Sequence, residues 1–249
     1  MFLRTVKIDS KSLVADIVAQ DYRTAEIFRR HGIGYCCAGK WPIDIACEMQ
    51  GVDARKVQEE LETATRSIQL PNQLTYKDWD IDFLMDYLVN IHHHYLGQTL
   101  LQTGELLAEF VEEHNNRFPY LGTLEIQFKL LVKELLESVR LEEEILFPYI
   151  RQIAHAYKHK EPYAAIFVHT MRKPVKETMY KGHKTVSEII FSIRELTNLY
   201  IPPEKACTSH KVILAKLKEL DNDLAQHFYL EQTVLFPKAM AIEKELLNV

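Results

Sequence analysis

Four long amphipathic segments fill the last two-thirds of this 249-residue chain. They constrain its fold more than any other feature. In the first segment, apolar residues recur at intervals of three and four, which places them on one face of an α-helix. That face consists of Ile81, Leu84, Met85, Leu88, Ile91 and Tyr95. The segments cover residues 80–115, 121–157, 174–200 and 204–246. Long helices with short connections are typical of an antiparallel four-helix bundle, so the pattern predicts an all-α protein.

The region before these segments has a different organisation. Residues 1–67 contain short helical patterns interrupted by glycines, which commonly close a helix, and we predict a small helical domain here. Residues 68–79 contain Pro71 and have no helical period, so we predict a linker. The bundle domain then covers residues 80–249. Its second connection, residues 158–173, is long enough to hold a small extra helix.

The composition excludes several classes of protein. The net charge is −5 and basic residues do not cluster, which argues against a nucleic-acid-binding surface. No apolar run approaches the roughly 18 residues of a membrane span, and the first residues lack the apolar core of a signal peptide. Four cysteines are too few for a disulfide scaffold in a chain of this length. We therefore expect a cytoplasmic protein with reduced thiols that does not act on a membrane.

An internal repeat links the second and fourth predicted helices. Residues 138–148 read SVRLEEEILFP, and residues 227–237 read HFYLEQTVLFP. The identical pairs are Leu141/Leu230, Glu142/Glu231, Leu146/Leu235, Phe147/Phe236 and Pro148/Pro237. Apolar neighbours place both glutamates on or beside the buried face, where a carboxylate without a partner is costly. A bound metal ion would remove that cost.

Histidines on the same helical faces extend this candidate metal site. His227 lies four residues before Glu231, so both point from one face of the fourth helix. His92 falls on the buried face of the first helix, whereas His93 is expected to point about 100° away. A single histidine on an apolar face is more often a core residue than a ligand, but the combination in four helices favours metal binding. The candidate ligands are His92, Glu142, His183, His227 and Glu231.

This order of histidines and glutamates resembles the hemerythrin-like domain of the repair-of-iron-centres family. Members of that family are di-iron proteins that repair damaged iron–sulfur clusters. Residues 35–40, YCCAGK, are similar to the double-cysteine sequence of the family's amino-terminal domain, and residues 202–208, PPEKACT, resemble the segment before its last helix. The resemblance covers essentially the whole chain. It implies non-haem iron held by terminal histidines and bridging carboxylates at the positions His92, His183, His227, Glu142 and Glu231.

The resemblance also shows departures around the site. The family carries a further histidine four residues before the first bridging glutamate, where this chain has Ser138, and a glutamate where it has Gly182. Ser138 is also the repeat counterpart of His227, and a serine hydroxyl is a poor iron ligand beside an imidazole. The sequence leaves open an asymmetric di-iron site, a mononuclear site or an empty one. The residues that could replace the missing imidazole are Glu134, His155, His159 and His169.

The double cysteine is the second candidate for chemistry. Adjacent cysteines bond to each other only through a strained ring, so a structural disulfide between Cys36 and Cys37 is not expected. Lys40 and backbone amides could favour a reactive thiolate, and the resemblance implies redox thiols. The alternative is that both are small apolar residues at a tight turn. Cys47 and Cys207 are predicted to be core residues.

Three functions remain open at this point. The resemblance implies a stress-response protein that repairs iron–sulfur clusters after nitrosative or oxidative damage. Its partners would then be damaged iron–sulfur proteins, with nitric oxide or oxygen as small ligands, and self-association as a homodimer is compatible with it. The alternatives are a hemerythrin-like sensor or carrier of oxygen or nitric oxide, and a metal-poor bundle that acts as an interaction module. Whether the chain is an enzyme stays undecided.

Overall fold

The computed structural model describes residues 8–36, 39–65, 75–171 and 175–247, and the side chains of these residues except 171–181. Within these ranges the regular structure is helical, and the only extended pairing is an isolated bridge between Leu13 and Pro42. The all-α prediction is therefore confirmed. No helix in the described ranges combines the length and hydrophobicity needed to cross a bilayer.

Four short helices form the amino-terminal part. They are α1 (Val14–Gln20), α2 (Thr24–Arg30), α3 (Ile43–Gln50) and α4 (Ala54–Ala64). Gly51 ends α3 with φ of 67°, a left-handed conformation that glycine adopts without steric cost. The Asp53 carboxylate then accepts a hydrogen bond from the Arg55 amide and caps α4. Phe28, Ile43 and Leu61 are fully buried and form part of the core of this region.

The residue contacts of the chain fall into two compact units. The first unit contains the described residues of 8–65 together with 200–218, and the second contains 75–199 and 219–247. The helix Thr208–Tyr229 therefore contributes residues to both units. The predicted bundle domain assigned residues 200–218 to the bundle, whereas their contacts group them with the amino-terminal helices. The sequence-based domain boundaries remain a prediction.

The bundle consists of four long helical segments. The first contains α5 (Ile81–Tyr87), the π-helical turn π1 (Leu88–His93) and α6 (His94–His114). The second contains α7 (Tyr120–Leu141), π2 (Glu142–Leu146) and α8 (Phe147–His159). The third is α10 (Val175–Leu196), after a small helix α9 (Ala164–Met171) in the predicted position. The fourth contains α11 (Thr208–Tyr229), π3 (Leu230–Leu235) and α12 (Phe236–Leu247).

In the second and fourth segments, the π turns π2 and π3 follow from the repeated Leu-Phe-Pro sequence. The amide of Phe147 donates to the carbonyl of Glu142, five residues earlier, and the amide of Phe236 donates to Glu231 in the same way. Each phenylalanine precedes a proline, which has no amide hydrogen and clashes with the carbonyl four residues before it in an α-helix. A wider turn relieves this clash. The widened turns contain the two candidate metal-binding glutamates, and π turns often mark functional sites.

An apolar cluster in the second unit surrounds these turns. Its members come from α5, π1, π2, α8, α9, π3 and α12, and they include Leu84, Met85, Leu88, Leu146, Phe147, Leu230, Val234, Leu235 and Phe236. All of these side chains are at most 5% exposed. Full burial of such side chains contributes about 1.5–3 kcal/mol each and excludes water from the space between the segments. Polar groups that lie among them must therefore find partners within the protein.

Candidate metal centre

Four buried side chains meet inside the bundle: His93, Glu142, His227 and Glu231. His93 ends π1, Glu142 begins π2, His227 lies near the end of α11, and Glu231 lies in π3. One nitrogen or oxygen of each lies within 4.8 Å of those of the other three. None of the four is more than 5% exposed. Two imidazoles and two carboxylates in this arrangement form a donor set that suits a transition metal such as iron.

The hydrogen bonding of these groups supports a metal-binding role. His93 Nε2, Glu142 Oε2, His227 Nε2 and both Glu231 oxygens are buried and have no hydrogen-bond partner. Buried polar atoms almost always have partners, and a buried charge without compensation is expensive. Five such atoms directed into one space are difficult to explain as part of a purely structural core. A cation bound among them would compensate all five, so the residues fit the metal that the sequence predicts.

The two carboxylates each direct their oxygens to opposite sides. Glu142 Oε2 lies 3.1 Å from His93 Nε2 and 3.9 Å from His227 Nε2, whereas its Oε1 lies 3.9 Å from His183 Nε2. Glu231 Oε1 lies 3.5 Å from His227 Nε2, and its Oε2 lies 3.1 Å from His183 Nε2. Each carboxylate would therefore have one oxygen available to a metal ion on either side. We call the side with His93 and His227 the first position and the side with His183 the second position.

The second position has fewer donors than the first. It offers the His183 imidazole and one oxygen from each glutamate, while the Ser138 hydroxyl donates a hydrogen bond to Glu142 Oε1 at 2.8 Å. A β-carbon built on Gly182 would lie 3.8 Å from the Ser138 oxygen, so two small residues lie side by side here. The departures from the family that the sequence revealed are therefore located together, at one side of the second position.

None of the suggested replacements supplies the missing imidazole. His155, His159 and His169 are exposed, and His155 contacts Glu161 at 3.2 Å. The Glu134 carboxylate lies 3.8 Å from the Lys133 amine. The two positions therefore differ by one imidazole.

Neighbouring side chains fix the orientation of the histidine rings. Glu143 Oε1 lies 2.8 Å from His93 Nδ1, and the Gln232 amide nitrogen lies 2.8 Å from His183 Nδ1, so each Nε2 faces the glutamates. Such outer contacts hold metal-binding imidazoles in place. The repeated phenylalanines also contact these rings. Phe147 stacks on His93 with ring centroids 5.7 Å apart, and Phe236 stacks on His183 at 6.2 Å. The Leu-Phe-Pro repeat thus supports both the backbone and the imidazoles of the site.

The structure places His93, rather than His92, in the four-residue group. His92 is buried beside it, with Nδ1 2.9 Å from Asp223 Oδ1 and its ring stacked on His227 at 5.7 Å. The sequence-based choice assumed α-helical spacing through Leu88 and Ile91, but Ile91 is 50% exposed. In π1 the His94 amide donates to the carbonyl of Val89, five residues earlier, so the turn holds one additional residue. That residue rotates His93 towards the glutamates. Three consecutive histidines gave no signal of this rotation.

Charge interactions stabilise the group without metal. Burial raises the pKa of Glu142, but the neighbouring His183 and His93 imidazoles outweigh burial and hold that pKa well below its usual range. Burial lowers the pKa of His183, while the neighbouring Glu142 and Glu231 carboxylates raise it to about 9. The pKa of His227 is also raised, because Glu231 and Glu142 outweigh burial. Metal binding at these imidazoles must therefore displace protons.

The candidate thiols lie in the first unit. Cys36 is half-buried, and Cys37 lies outside the described residues. Cys47 is fully buried, as predicted. Cys207, in contrast, is not a core residue: it is half-buried at the start of α11, and its thiol is hydrogen-bonded to that of Cys36. The prediction failed because the sequence around Cys207 does not reveal a contact with a loop that is distant in sequence.

The fold and the site together define a helical-bundle protein with a buried histidine–glutamate centre that can hold metal. Residues 10–65 match the family model ScdA_N, described as "Domain of Unknown function (DUF542)". The iron-sulfur cluster repair protein YtfE of Citrobacter koseri is 30% identical over 224 residues, which cover 89% of this chain and 93% of the relative. The iron-sulfur cluster repair protein ScdA of Staphylococcus haemolyticus is 25% identical over 235 residues, 93% and 99% of the two chains. The chain belongs to this family of iron–sulfur cluster repair proteins.

Proposed function

We propose that this chain is a non-haem iron protein that repairs iron–sulfur clusters damaged by nitrosative or oxidative stress. The observation that carries the proposal is the pair of fully buried glutamates whose oxygens are divided between His93 and His227 on one side and His183 on the other. Membership of the repair family supports the same function. The partners would be damaged iron–sulfur proteins, as the names of the relatives indicate.

The donor atoms assign different parts to the two positions. At the first position His93 and His227 would be terminal ligands, and the two glutamates would each supply one oxygen. At the second position His183 would be the one terminal imidazole. Iron bound here would supply redox chemistry and an open coordination position for nitric oxide or oxygen. The surrounding apolar residues exclude bulk water, and Glu143 and Gln232 hold the imidazoles in their binding orientation.

The difference between the positions suggests how iron is handled. A site with one imidazole binds iron more weakly than a site with two, because the imidazole is the better ligand for iron than a serine hydroxyl. We propose that the first position retains iron, whereas iron at the second position is the cargo that is donated to a damaged cluster. Ser138 and Gly182, two short residues that are half-buried, lie beside the second position.

Repair of a damaged dehydratase tests this function. A dehydratase whose iron–sulfur cluster has been damaged with nitric oxide is incubated anaerobically with the iron-loaded chain, and recovered activity is measured. The matched variants are Glu142→Gln, in the site, and Glu144→Gln, an exposed glutamate that pairs with Arg140 in the same segment. We expect recovery with the wild type and with Glu144→Gln, and little with Glu142→Gln. Equal recovery with Glu142→Gln, or with iron salt alone, would contradict the proposal.

The second position also suits a second function, reversible binding of oxygen or nitric oxide in a sensor or carrier. The observation that favours it is that two short residues, Ser138 and Gly182, lie side by side there and are only half-buried. The same experiment separates the two functions. A carrier would leave the dehydratase damaged, while its own optical spectrum would change on addition of the gas and return when the gas is removed.

A further inference from the structure

A contact between two cysteines in the first unit has no role in the metal centre. The thiols of Cys36 and Cys207 are reduced and hydrogen-bonded to each other. Both are half-buried, so small solutes can reach them. Cys36 lies in the loop after α2, and Cys207 immediately precedes α11. Two sulfur atoms held this close, on segments far apart in sequence, form a pair that oxidation could join.

The start of α11 provides a polar setting for the Cys207 sulfur. The backbone amides of Ser209 and His210, in the first turn of the helix, donate hydrogen bonds to it. Sulfur at a helix amino terminus is in a position that favours negative charge and thiol reactivity. The pKa of Cys207 is raised overall. Burial and the hydrogen bond to Cys36 raise it, and they outweigh the two amides, which lower it.

Neighbouring contacts hold the loop against the helix start. The buried Tyr35 side chain is hydrogen-bonded to the Ser209 side chain. Tyr35 precedes Cys36 by one residue, and Ser209 follows Cys207 by two. Gly39 also lies close to Tyr35, since a β-carbon on Gly39 would lie 2.5 Å from the carbonyl oxygen of Tyr35. Only glycine fits this approach without a shift of the backbone. The pairing of Cys36 with Cys207 is therefore supported on both sides by local structure.

We propose that Cys36 and Cys207 are a redox-active dithiol whose oxidising substrate is a peroxide. The Cys36 thiolate attacks one peroxide oxygen and forms a sulfenic acid, and the second oxygen leaves as hydroxide and takes up a proton. The Cys207 thiol then attacks the Cys36 sulfur, and the sulfenic oxygen departs as water. The balance is two thiols and one hydrogen peroxide to one disulfide and two molecules of water. The two cysteines lose two electrons, and the peroxide gains them.

This pairing differs from a bond between Cys36 and Cys37. Neighbouring cysteines can bond only in a strained ring, whereas Cys36 and Cys207 lie on separate segments. The proposal is independent of the metal centre, whose residues all lie in the second unit.

Peptide mapping of the full-length chain tests the pairing. The metal-free protein is treated with one equivalent of hydrogen peroxide, remaining thiols are blocked with iodoacetamide, and the trypsin digest is analysed by mass spectrometry. Trypsin is expected to release residues 31–40 and 206–211 as separate peptides, each with a candidate cysteine. We expect a disulfide-linked pair of these peptides in the wild type and in Cys37→Ser, and no such pair in Cys36→Ser or Cys207→Ser.

One further variant and a check of folding make the result decisive. Cys47→Ser is the matched control, because Cys47 is buried in α3, and it should form the linked peptides as the wild type does. Cys207→Ser retains a hydrogen-bond acceptor before α11, and serine is a favoured residue at that position, so the variant is expected to fold. Circular dichroism confirms folding of each variant. Linked peptides that disappear in Cys37→Ser, or full alkylation of Cys36 and Cys207 after peroxide treatment, would overturn the proposal.

Discussion

Replacement of Ser138 by histidine should restore the second position. In the fourth segment, His227 and Glu231 are four residues apart, and His227 Nε2 lies 3.5 Å from Glu231 Oε1. Ser138 and Glu142 have the same spacing, so an imidazole at 138 should reach Glu142 Oε1, the oxygen that the serine hydroxyl contacts now. Gly182 has no side chain, and even a β-carbon there would lie 3.8 Å from the Ser138 oxygen, an ordinary van der Waals distance. Gly182 therefore does not block an imidazole at position 138.

Loss of a side chain that only positions a metal ligand typically costs ~10–100-fold in metal affinity. A directly bound imidazole should contribute at least as much. We therefore expect iron affinity at the second position to rise by at least ~10-fold, or about 1.4 kcal/mol. The first position should change little, since its donors are untouched. We therefore predict that Ser138→His retains about two irons per chain after desalting, while the wild type retains about one.

Anaerobic iron titration of the metal-free protein against a chelator of known affinity measures this change. The matched control is Glu137→His, which adds a histidine at the neighbouring exposed position. It should bind iron as the wild type does. Identical stoichiometry and affinity in Ser138→His and the wild type, with both proteins folded, would refute the assignment of Ser138 to the second position.

Three further outcomes follow from the geometry. His93→Ala should lower iron affinity at the first position by at least ~10-fold in chelator competition, and His92→Ala should lower it much less. A larger loss with His92→Ala than with His93→Ala would identify His92 as the ligand instead. Because the pKa of His183 is about 9 without metal, iron binding at the second position must release a proton below that pH. Its apparent affinity should fall about tenfold between pH 8 and pH 7, measured by titration at each pH, and a flat profile would contradict this. Saturation with iron at ~100 times its dissociation constant should stabilise the fold by about 2.7 kcal/mol. Removal of the iron with a chelator should therefore lower Tm by roughly 5–10 °C in calorimetry, and an unchanged Tm would contradict iron binding.

Much of the fold could be predicted because the helical periodicity is strong. The apolar residues Leu84, Met85 and Leu88 are fully buried, as their spacing indicates. The extra helix in the second connection also forms, at Ala164–Met171. Burial of Glu142 and Glu231 followed from their apolar neighbours, and both are 0% exposed. Sequence spacing sufficed here because each segment keeps a regular α-helical turn up to its π turn, and these positions lie before or at the start of that turn.

The prediction failed where the backbone departs from that turn. The choice between His92 and His93 depends on one additional residue in π1, and no proline or glycine in that turn marks the widening. In π2 and π3 the Leu-Phe-Pro sequence carries such a signal, since Pro148 and Pro237 cannot donate to the carbonyl four residues earlier. From the sequence alone, the Leu-Phe-Pro pattern indicates a repeat, and its effect on the backbone becomes visible only in the structure.

Contacts between distant segments were the other limit of sequence reasoning. Cys207 was predicted to be a core residue, but its side chain is half-buried and contacts Cys36. Likewise, Ser138 and Gly182 were recognised separately as departures from the family, and only the structure shows that they lie together. Neither pairing has a periodicity that a single sequence could reveal.

Anomalous diffraction at the iron edge, from crystals of the iron-loaded chain, tests the central claim most directly. The account predicts a strong peak among His93, His227, Glu142 and Glu231, and a weaker peak beside His183. In Ser138→His crystals the second peak should approach the first in height. A peak coordinated by His92 in place of His93, or no peak between the two glutamates, would contradict the account.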